Sequence, residues 1–307
     1  MKHFICVLLL FATTLYSQEI KMEEITINPL IEGTLFSTNT TIKKPNLVIL
    51  IAGSGPTNRN GNQIGMQNNS LKFLAEGIAA NGNVVFSYDK RIIKQMKEGN
   101  LEEGKLNFTD FINDAKDVIA FFKEQKKYSK IIIAGHSEGS LIGMIAANGN
   151  ADAFITLAGA GRTIDLIITE QIEKQAPFLK TETEDNFKIL KSGKTFELKN
   201  QMLASIFRES VQPYMISWIH FNPQEEIKKL NIPILIVNGN KDIQVSENEA
   251  QLLHIANPKS TLKIIDKMNH IFKEINAEDE NLKSYSNPNL PVMPQLIESV
   301  NNFIKSL

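Results

Sequence analysis

The sequence predicts an α/β fold: a doubly wound, mostly parallel sheet covered by helices, with a helical cap inserted into it. Along the 307 residues, short β-branched runs alternate with amphipathic stretches, which is typical of parallel strands joined by helices. The runs are nearly all apolar, as expected for strands buried on both faces. One long segment between two of the runs contains no convincing strand and accounts for the inserted cap.

Eight strands are predicted in chain order. Segments 24–27 and 33–37 are expected to form an antiparallel pair at the edge of the sheet. The parallel strands are predicted at residues 47–52, 84–88, 130–134, 154–157, 234–238 and 262–265.

The helices between the strands have readable ends. Ser70 and Thr109 are predicted to cap two of them, and Asn222 with Pro223 indicates an N-cap followed by a first-turn proline. Ser246, with Glu249 three residues later, predicts a capping box. A closing helix carries Leu296, Val300 and Phe303 at helical spacing.

The inserted segment, residues 163–230, is interpreted as a helical cap over the strand ends. Its aromatic residues are Phe178, Phe187, Phe207, Tyr214, Trp218 and Phe221. Residues 18–162 and 231–307 then form one core. An independent second domain is the weaker alternative, because the sheet pattern resumes directly after the segment.

The N-terminus has the pattern of an export signal. Lys2 precedes a short apolar run, and Ser17 supplies a small residue for cleavage. We therefore expect residues 1–17 to be a signal peptide and the protein to be periplasmic or extracellular. The alternative is a retained N-terminal anchor, but the run is short for a membrane span. The only cysteine, Cys6, lies within this segment, so no disulfide or cysteine metal site is expected afterwards.

Gly135-His136-Ser137-Glu138-Gly139 is the motif that carries chemistry. It follows a predicted strand and precedes a helix rich in small residues, the context of a nucleophile elbow. The serine must sit on a tight, strained turn, and the flanking glycines let the strand and helix backbones pass closely. An incidental loop match is the competing interpretation.

A serine hydroxyl needs a base to activate it and an acid to orient that base. Among five histidines, His270 is the one placed just after the last strand, at the edge where loops after parallel strands converge. Asp242 follows the preceding strand in a glycine-containing turn and is the preferred acid. Asp266, four residues before the histidine, is the rival.

The developing oxyanion requires N–H donors. The backbone of Glu138, directly after the nucleophile, is expected to supply one. The loop Gly53-Ser54-Gly55-Pro56 follows an early strand, and the N–H of Ser54 is the expected second donor. A phosphate-binding loop is excluded by spacing, since no Gly-Lys-Ser/Thr follows.

With these motifs in serine–acid–histidine order, the chain resembles the α/β-hydrolase superfamily over about residues 20–307. More narrowly, it resembles bacterial exported hydrolases of serine aminopeptidase-like or esterase type, which carry an early Gly-Ser-Gly-Pro loop and a late Met-Asn-His, here residues 53–56 and 268–270. The resemblance implies a helical cap and esterase activity on small acyl substrates. Two loops depart from that pattern: Asn58-Arg59-Asn60 lacks flanking aspartates, and Asp89-Lys90-Arg91-Ile92 lacks a final glycine.

These observations predict a carboxylesterase-type serine hydrolase with Ser137, His270 and Asp242 as the triad and a small-molecule acyl substrate. No cofactor or metal is implied. A formal net charge of −1 without basic blocks favours neither nucleic acid nor an anionic membrane as partner. The alternatives are an exported peptidase or amidase on the same triad, although no acidic patch for a substrate amine is evident, and a non-catalytic binding protein on the same scaffold.

Overall fold

The computed structural model describes residues 19–39 and 42–307, so the predicted signal segment lies outside the described residues. The predicted strands all form, and most of their observed bounds lie within two residues of the predicted ones. They are β1 (Ile20–Asn28), β2 (Ile31–Thr38), β3 (Leu47–Ile51), β4 (Val84–Tyr88), β5 (Ile131–His136), β6 (Ala153–Leu157), β7 (Ile234–Gly239) and β8 (Thr261–Ile265).

These strands form one sheet in the order β1-β2-β4-β3-β5-β6-β7-β8. The β1–β2 and β2–β4 pairs are antiparallel, and the remaining neighbours are parallel. The predicted edge pair and the parallel sheet are thereby confirmed. The parallel strands direct their carboxyl ends to one edge, where the loops that follow them meet.

Helices connect and cover the strands. They are α1 (Ser70–Ala79), α2 (Arg91–Glu98), α3 (Phe108–Gln125), α4 (Glu138–Ala147), α5 (Ile164–Gln175), α6 (Lys180–Lys191), α7 (Ala204–Phe207), α8 (Gln212–Ile219), α9 (Pro223–Lys228), α10 (Glu247–Ala256), α11 (Glu278–Ser284) and α12 (Pro294–Lys305). Helices α5 to α9 all lie in the segment between β6 and β7, where no strand interrupts them. None of the helices in residues 19–39 and 42–307 is long and apolar enough to cross a membrane.

The two faces of the sheet bury separate hydrophobic cores, because side chains alternate along each strand. In β3, Ile49 packs in the core that also contains α3 and α4, whereas Val48 and Leu50 pack with α1 and α12. All five residues of β3 are buried. Burial on both faces explains why the sequence of this strand is uniformly apolar.

Several predicted helix ends differ from the structure. Asn107, rather than Thr109, caps α3: its side chain accepts a hydrogen bond from the Thr109 N–H at 3.0 Å. Helix α1 begins at Ser70 itself, with Asn69 as its N-cap. Asn222 caps α9 as predicted, accepting from the N–H of Gln224 at 3.0 Å.

The predicted capping box at α10 is wrong. Ser246 is the N-cap residue, but its side chain makes no capping hydrogen bond. The buried Glu249 carboxylate instead accepts hydrogen bonds from the N–H groups of Gly161 and Arg162, at 3.0 and 2.9 Å. Glu249 therefore holds the loop after β6 against α10.

Candidate active site

Ser137 lies on the turn between β5 and α4 with a strained backbone. Its φ of 53° and ψ of −118° are rarely adopted by a residue with a side chain. Such a conformation costs on the order of 1–3 kcal/mol and persists only where the surrounding structure imposes it. Its N–H donates to the Leu157 carbonyl at 2.9 Å, which ties the turn to β6.

The two motif glycines leave no space for side chains. A Cβ atom on Gly135 would lie within 3.0 Å of the Gly139 backbone, and one on Gly139 would lie within 3.0 Å of the Ile51 and Ala52 carbonyls. The strand, the turn and the neighbouring β3 thus pass at backbone contact distance. This close approach holds Ser137 at the carboxyl edge of the sheet.

His270 and Asp242, which are 28 residues apart, meet at the same edge. His270 lies in the loop after β8 and Asp242 in the loop after β7. The Nδ1 atom of His270 is 2.7 Å from Oδ2 of Asp242, and both side chains are buried. The other carboxylate oxygen of Asp242 accepts from the N–H groups of Gln244 and Val245, each at 2.8 Å. Asp242 is therefore fixed by the backbone on one side and contacts the imidazole on the other.

The rival acid, Asp266, contacts a different group. Its carboxylate accepts a hydrogen bond from the Asn240 side chain at 2.8 Å in an exposed position. Asn240 in turn accepts from the N–H of Lys267 at 2.8 Å. Asp266 thus joins the turns after β7 and β8, and Asp242 is the carboxylate that contacts His270.

His136 places the loop that carries His270, a role that the sequence did not reveal. Its Nε2 is 3.0 Å from the backbone carbonyl of His270, and the two rings have centroids 4.8 Å apart. Burial, reinforced by the proximity of His270, lowers the pKa of His136 to about 3. His136 is therefore neutral near pH 7, and its Nε2–H donates to that carbonyl.

The structure brings Ser137 and His270 to one edge without joining them by a hydrogen bond. The loop after β3 packs closely against the elbow, because a Cβ atom on Gly53 would lie 3.3 Å from both Ser137 Cβ and the Nδ1 of His136. His136 in turn contacts His270 as described above. In unliganded enzymes the contact between nucleophile and base is often long, and it tightens when substrate binds.

The two residues expected to donate to the oxyanion line the same cavity as Ser137. Glu138 is the first residue of α4, and the first N–H groups of a helix have no partner within it. Ser54 is exposed, and it lines the same cavity as Ser137 and Glu138. Its carbonyl accepts from the Thr57 hydroxyl at 2.7 Å, so a hydrogen bond between its own residues stabilises the loop.

A cavity of about 490 Å³ opens above Ser137, within the range typical of small-molecule sites. Its walls come from the core loops and from helices α5 and α8. Its apolar lining includes Leu106, Phe111, Leu141, Ile164, Ile167, Ile168, Ile172, Ile206, Val211, Met215 and Trp218, and charged residues such as Glu103, Arg162 and Arg208 also line it. The described residues contain no group of three or more His, Cys, Asp or Glu side chains placed to hold a metal ion.

A buried ion pair lies in the wall of this cavity, and sequence reasoning missed it. Lys90 Nζ is 2.9 Å from a carboxylate oxygen of Glu138, with side chains only 3% and 2% exposed. The same Nζ donates to the Gly53 carbonyl at 2.6 Å. The Glu138 carboxylate also lies near Tyr214 of α8, and burial together with this carboxylate raises the pKa of the Tyr214 phenol. The pair thus lies between the elbow, the loop after β3 and the helical segment above them.

Arg59, which lies in one of the two loops that depart from the family pattern, forms ion pairs. Its guanidinium contacts Asp89 at 3.0 Å and Glu32 at 3.2 Å, and it also pairs with Glu24. The backbone N–H of Arg59 also donates to the Asp89 carboxylate at 2.8 Å. Arg59 therefore fastens the loop after β3 to the antiparallel edge and to the end of β4.

The chain has the α/β-hydrolase fold: the sheet order is that of this fold, the strained serine lies between β5 and α4, and the histidine–aspartate pair follows the last two strands. Esterase EstD of Thermotoga maritima is 27% identical to it over 230 residues, which make up 73% of this chain and 54% of that protein. The chain thus spans about half the length of this curated relative. No protein-family model matches the sequence.

Solved structures support the same fold. Est1E from Butyrivibrio proteoclasticus has a TM-score of 0.60 at 16% identity, covering 93% of this chain and 98% of that one. The Pyrococcus furiosus esterase Pf2001 has a TM-score of 0.56 at 14% identity, covering 98% and 96%. At these identities the likeness establishes the architecture alone.

Proposed function

We propose that this protein is a serine hydrolase that cleaves carboxylic esters of small acyl groups through Ser137, His270 and Asp242. The observation that carries the proposal is the buried His270–Asp242 hydrogen bond at the edge where the strained Ser137 lines a cavity with many apolar side chains. The similarity in sequence to Esterase EstD supports the choice of reaction.

In the first half-reaction, Ser137 Oγ attacks the ester carbonyl carbon while His270 Nε2 takes its proton. The Nδ1–H of His270 donates to Asp242, which keeps Nε2 unprotonated beforehand and stabilises the imidazolium afterwards. The carbonyl oxygen becomes an oxyanion that accepts from the N–H groups of Ser54 and Glu138. The tetrahedral intermediate then expels the alcohol, which receives the proton from His270, and leaves an acyl group on Ser137.

In the second half-reaction, His270 removes a proton from water, and the resulting nucleophile attacks the acyl carbon. A second oxyanion forms in the same N–H site. Its collapse breaks the bond to Ser137 Oγ, which recovers a proton from His270, and releases the carboxylic acid.

The cavity indicates an apolar acyl or alkyl group in the substrate. Side chains of α5 and α8, including Ile168, Met215 and Trp218, line it opposite the elbow. Burial of such groups is favourable by about 25 cal/mol per Å² of apolar surface. Est1E has been solved with ferulic acid bound, so we include aromatic acyl groups among the substrates to be tested.

The test is a panel of 4-nitrophenyl esters from acetyl to decanoyl, together with methyl ferulate and aminoacyl anilides, assayed on wild type and on Ser137→Ala. We expect ester turnover by wild type and its loss in the variant, with both proteins equally folded by circular dichroism. A fluorophosphonate probe should add its mass to wild type only.

Two outcomes would contradict this proposal. Anilide turnover exceeding ester turnover would identify a peptidase or amidase on the same residues. A folded wild type that neither hydrolyses any substrate nor reacts with the probe would favour a non-catalytic binding protein.

We propose separately that residues 1–17 are a cleaved export signal and that the mature protein is periplasmic or extracellular. The basic residue Lys2, the apolar run and Ser17 are the basis for this assignment. The intact mass of the protein purified from its native host tests it: a mature chain that begins at Gln18 supports cleavage, and a full-length mass contradicts it.

A further inference from the structure

The buried Lys90–Glu138 pair has no role in the proton transfers described above, yet it lies within the active-site wall. Taking two charges out of water is unfavourable, and replacing such a pair with apolar residues is often neutral or stabilising. Contribution to stability is therefore a weak reason for its presence. The contacts of the ammonium group point to another role.

Three groups surround Lys90 Nζ. The Gly53 carbonyl accepts a hydrogen bond at 2.6 Å, the Glu138 carboxylate lies at 2.9 Å, and the centroid of the Phe111 ring is 5.4 Å away. Lys90 itself follows the end of β4, two residues after Tyr88. The ammonium is thus held by a backbone carbonyl, a carboxylate and the face of an aromatic ring.

The carbonyl that Lys90 holds belongs to the same peptide unit as the N–H of Ser54. Because a trans peptide is planar, its C=O and N–H point in opposite directions. A cation that fixes the Gly53 oxygen on one side therefore fixes the direction of the Ser54 N–H on the other. Polarisation of the carbonyl by the ammonium also strengthens the N–H as a donor, since linked hydrogen bonds reinforce each other.

The ion partner completes the arrangement. Glu138 carries the other expected oxyanion donor on its backbone, while its side chain holds Lys90. We infer that Lys90 and Glu138 are positioning residues that orient the two oxyanion N–H groups, those of Ser54 and Glu138, as one unit. This inference rests on the proposed function, because it concerns the same oxyanion site.

The experiment separates positioning from simple structural support. Lys90→Met alone would leave the Glu138 carboxylate buried without a partner and would confound the two effects. The double variant Lys90→Met/Glu138→Gln removes both charges, keeps similar volumes and still lacks the bond to Gly53. Glu138→Gln alone keeps that bond. Lys94→Met is the matched control, because Lys94 lies in α2, the helix for which Lys90 is the N-cap residue, and outside the cavity lining.

We expect the double variant to lower kcat for 4-nitrophenyl butyrate roughly 100-fold, the loss typical of one oxyanion donor. KM should change little, because the interaction is made only in the transition state. Binding of a trifluoromethyl ketone, whose adduct places an oxyanion in the site, should weaken in parallel. Glu138→Gln should lose much less kcat, and Lys94→Met should match wild type.

Full kcat in a folded double variant would overturn the inference, and so would a loss confined to KM. A wild type without any esterase activity would instead refute the proposed function. In that case a crystal structure of the double variant still decides the inference: we expect the Gly53–Ser54 peptide to rotate, and an unchanged orientation would show that Lys90 does not hold it.

Discussion

Asp242→Asn is the most discriminating change at the proposed triad, because the structure dictates how the new amide must orient. One carboxylate oxygen of Asp242 accepts from two backbone N–H groups at 2.8 Å, those of Gln244 and Val245. The amide oxygen of asparagine must take that position, since an NH₂ group there would face two donors. The NH₂ group then faces His270 Nδ1, where the carboxylate lies at 2.7 Å in the wild type.

An NH₂ donor at that position requires His270 Nδ1 to be an acceptor. The ring proton then resides on Nε2, and the imidazole can no longer take a proton from Ser137. We expect kcat to fall about 10⁴-fold, as in other triads locked in the wrong tautomer, which corresponds to about 5 kcal/mol of transition-state stabilisation. KM should be nearly unchanged.

The assay is steady-state ester hydrolysis, with thermal unfolding measured on the same samples to confirm that the variant is folded. Asp266→Asn is the matched control: its side chain contacts Asn240 rather than the imidazole, and we expect less than a twofold effect. Retention of more than about a tenth of wild-type kcat in Asp242→Asn, or an equal loss in Asp266→Asn, would refute the reasoning.

Three further changes probe the elbow and the cavity. The pKa of His136 is lowered to about 3 from 6.5, so between these pH values the unfolded chain binds a proton that the folded chain does not, and the free energy of unfolding falls as the pH falls. His136→Gln should flatten the pH dependence of the urea-derived unfolding free energy by about 1.4 kcal/mol per pH unit near pH 5. An unchanged slope would contradict the assignment. Gly139→Ala forces a Cβ onto the β3 backbone and should lower the free energy of unfolding by more than about 3 kcal/mol. At Gly104 the nearest atom to an added Cβ is 4.0 Å away, so Gly104→Ala should change that free energy by less than about 0.5 kcal/mol. Equal urea midpoints for the two variants would contradict this. Trp218→Leu enlarges the cavity and should shift the ester preference toward longer or bulkier acyl groups; an unchanged chain-length profile would exclude Trp218 from the acyl site.

The sheet could be predicted from sequence because burial on both faces leaves a strong local signal. Each residue of β3 faces one of two cores, so polar residues are absent from the run. Helix ends were harder to predict from the sequence. Asn107 and Thr109 both suit an N-cap. Phe108, between them, is buried in the core and its N–H donates to the Ser217 hydroxyl, a contact across 109 residues that the local sequence does not indicate.

The chemical groups of the site followed from motifs, whereas the groups that hold them did not. Ser137 and His270 were located by their position after strands, a property of chain order. Lys90 and Glu138 are 48 residues apart, and neither lies in a pattern that indicates its partner. The one available signal was a carboxylate next to the nucleophile at the start of a helix of small apolar residues, where only a buried partner would satisfy it.

The distance along the chain between the two halves of the site has a consequence for timing. His136 and the carbonyl it contacts are 134 residues apart, and β8 lies at the far edge of the sheet. During synthesis, a chain that ends before β8 already contains the elbow but not the imidazole. Under the proposed mechanism, Ser137 therefore stays inert until β8 and the loop after it have been made and have docked, and a shorter nascent chain should not hydrolyse esters.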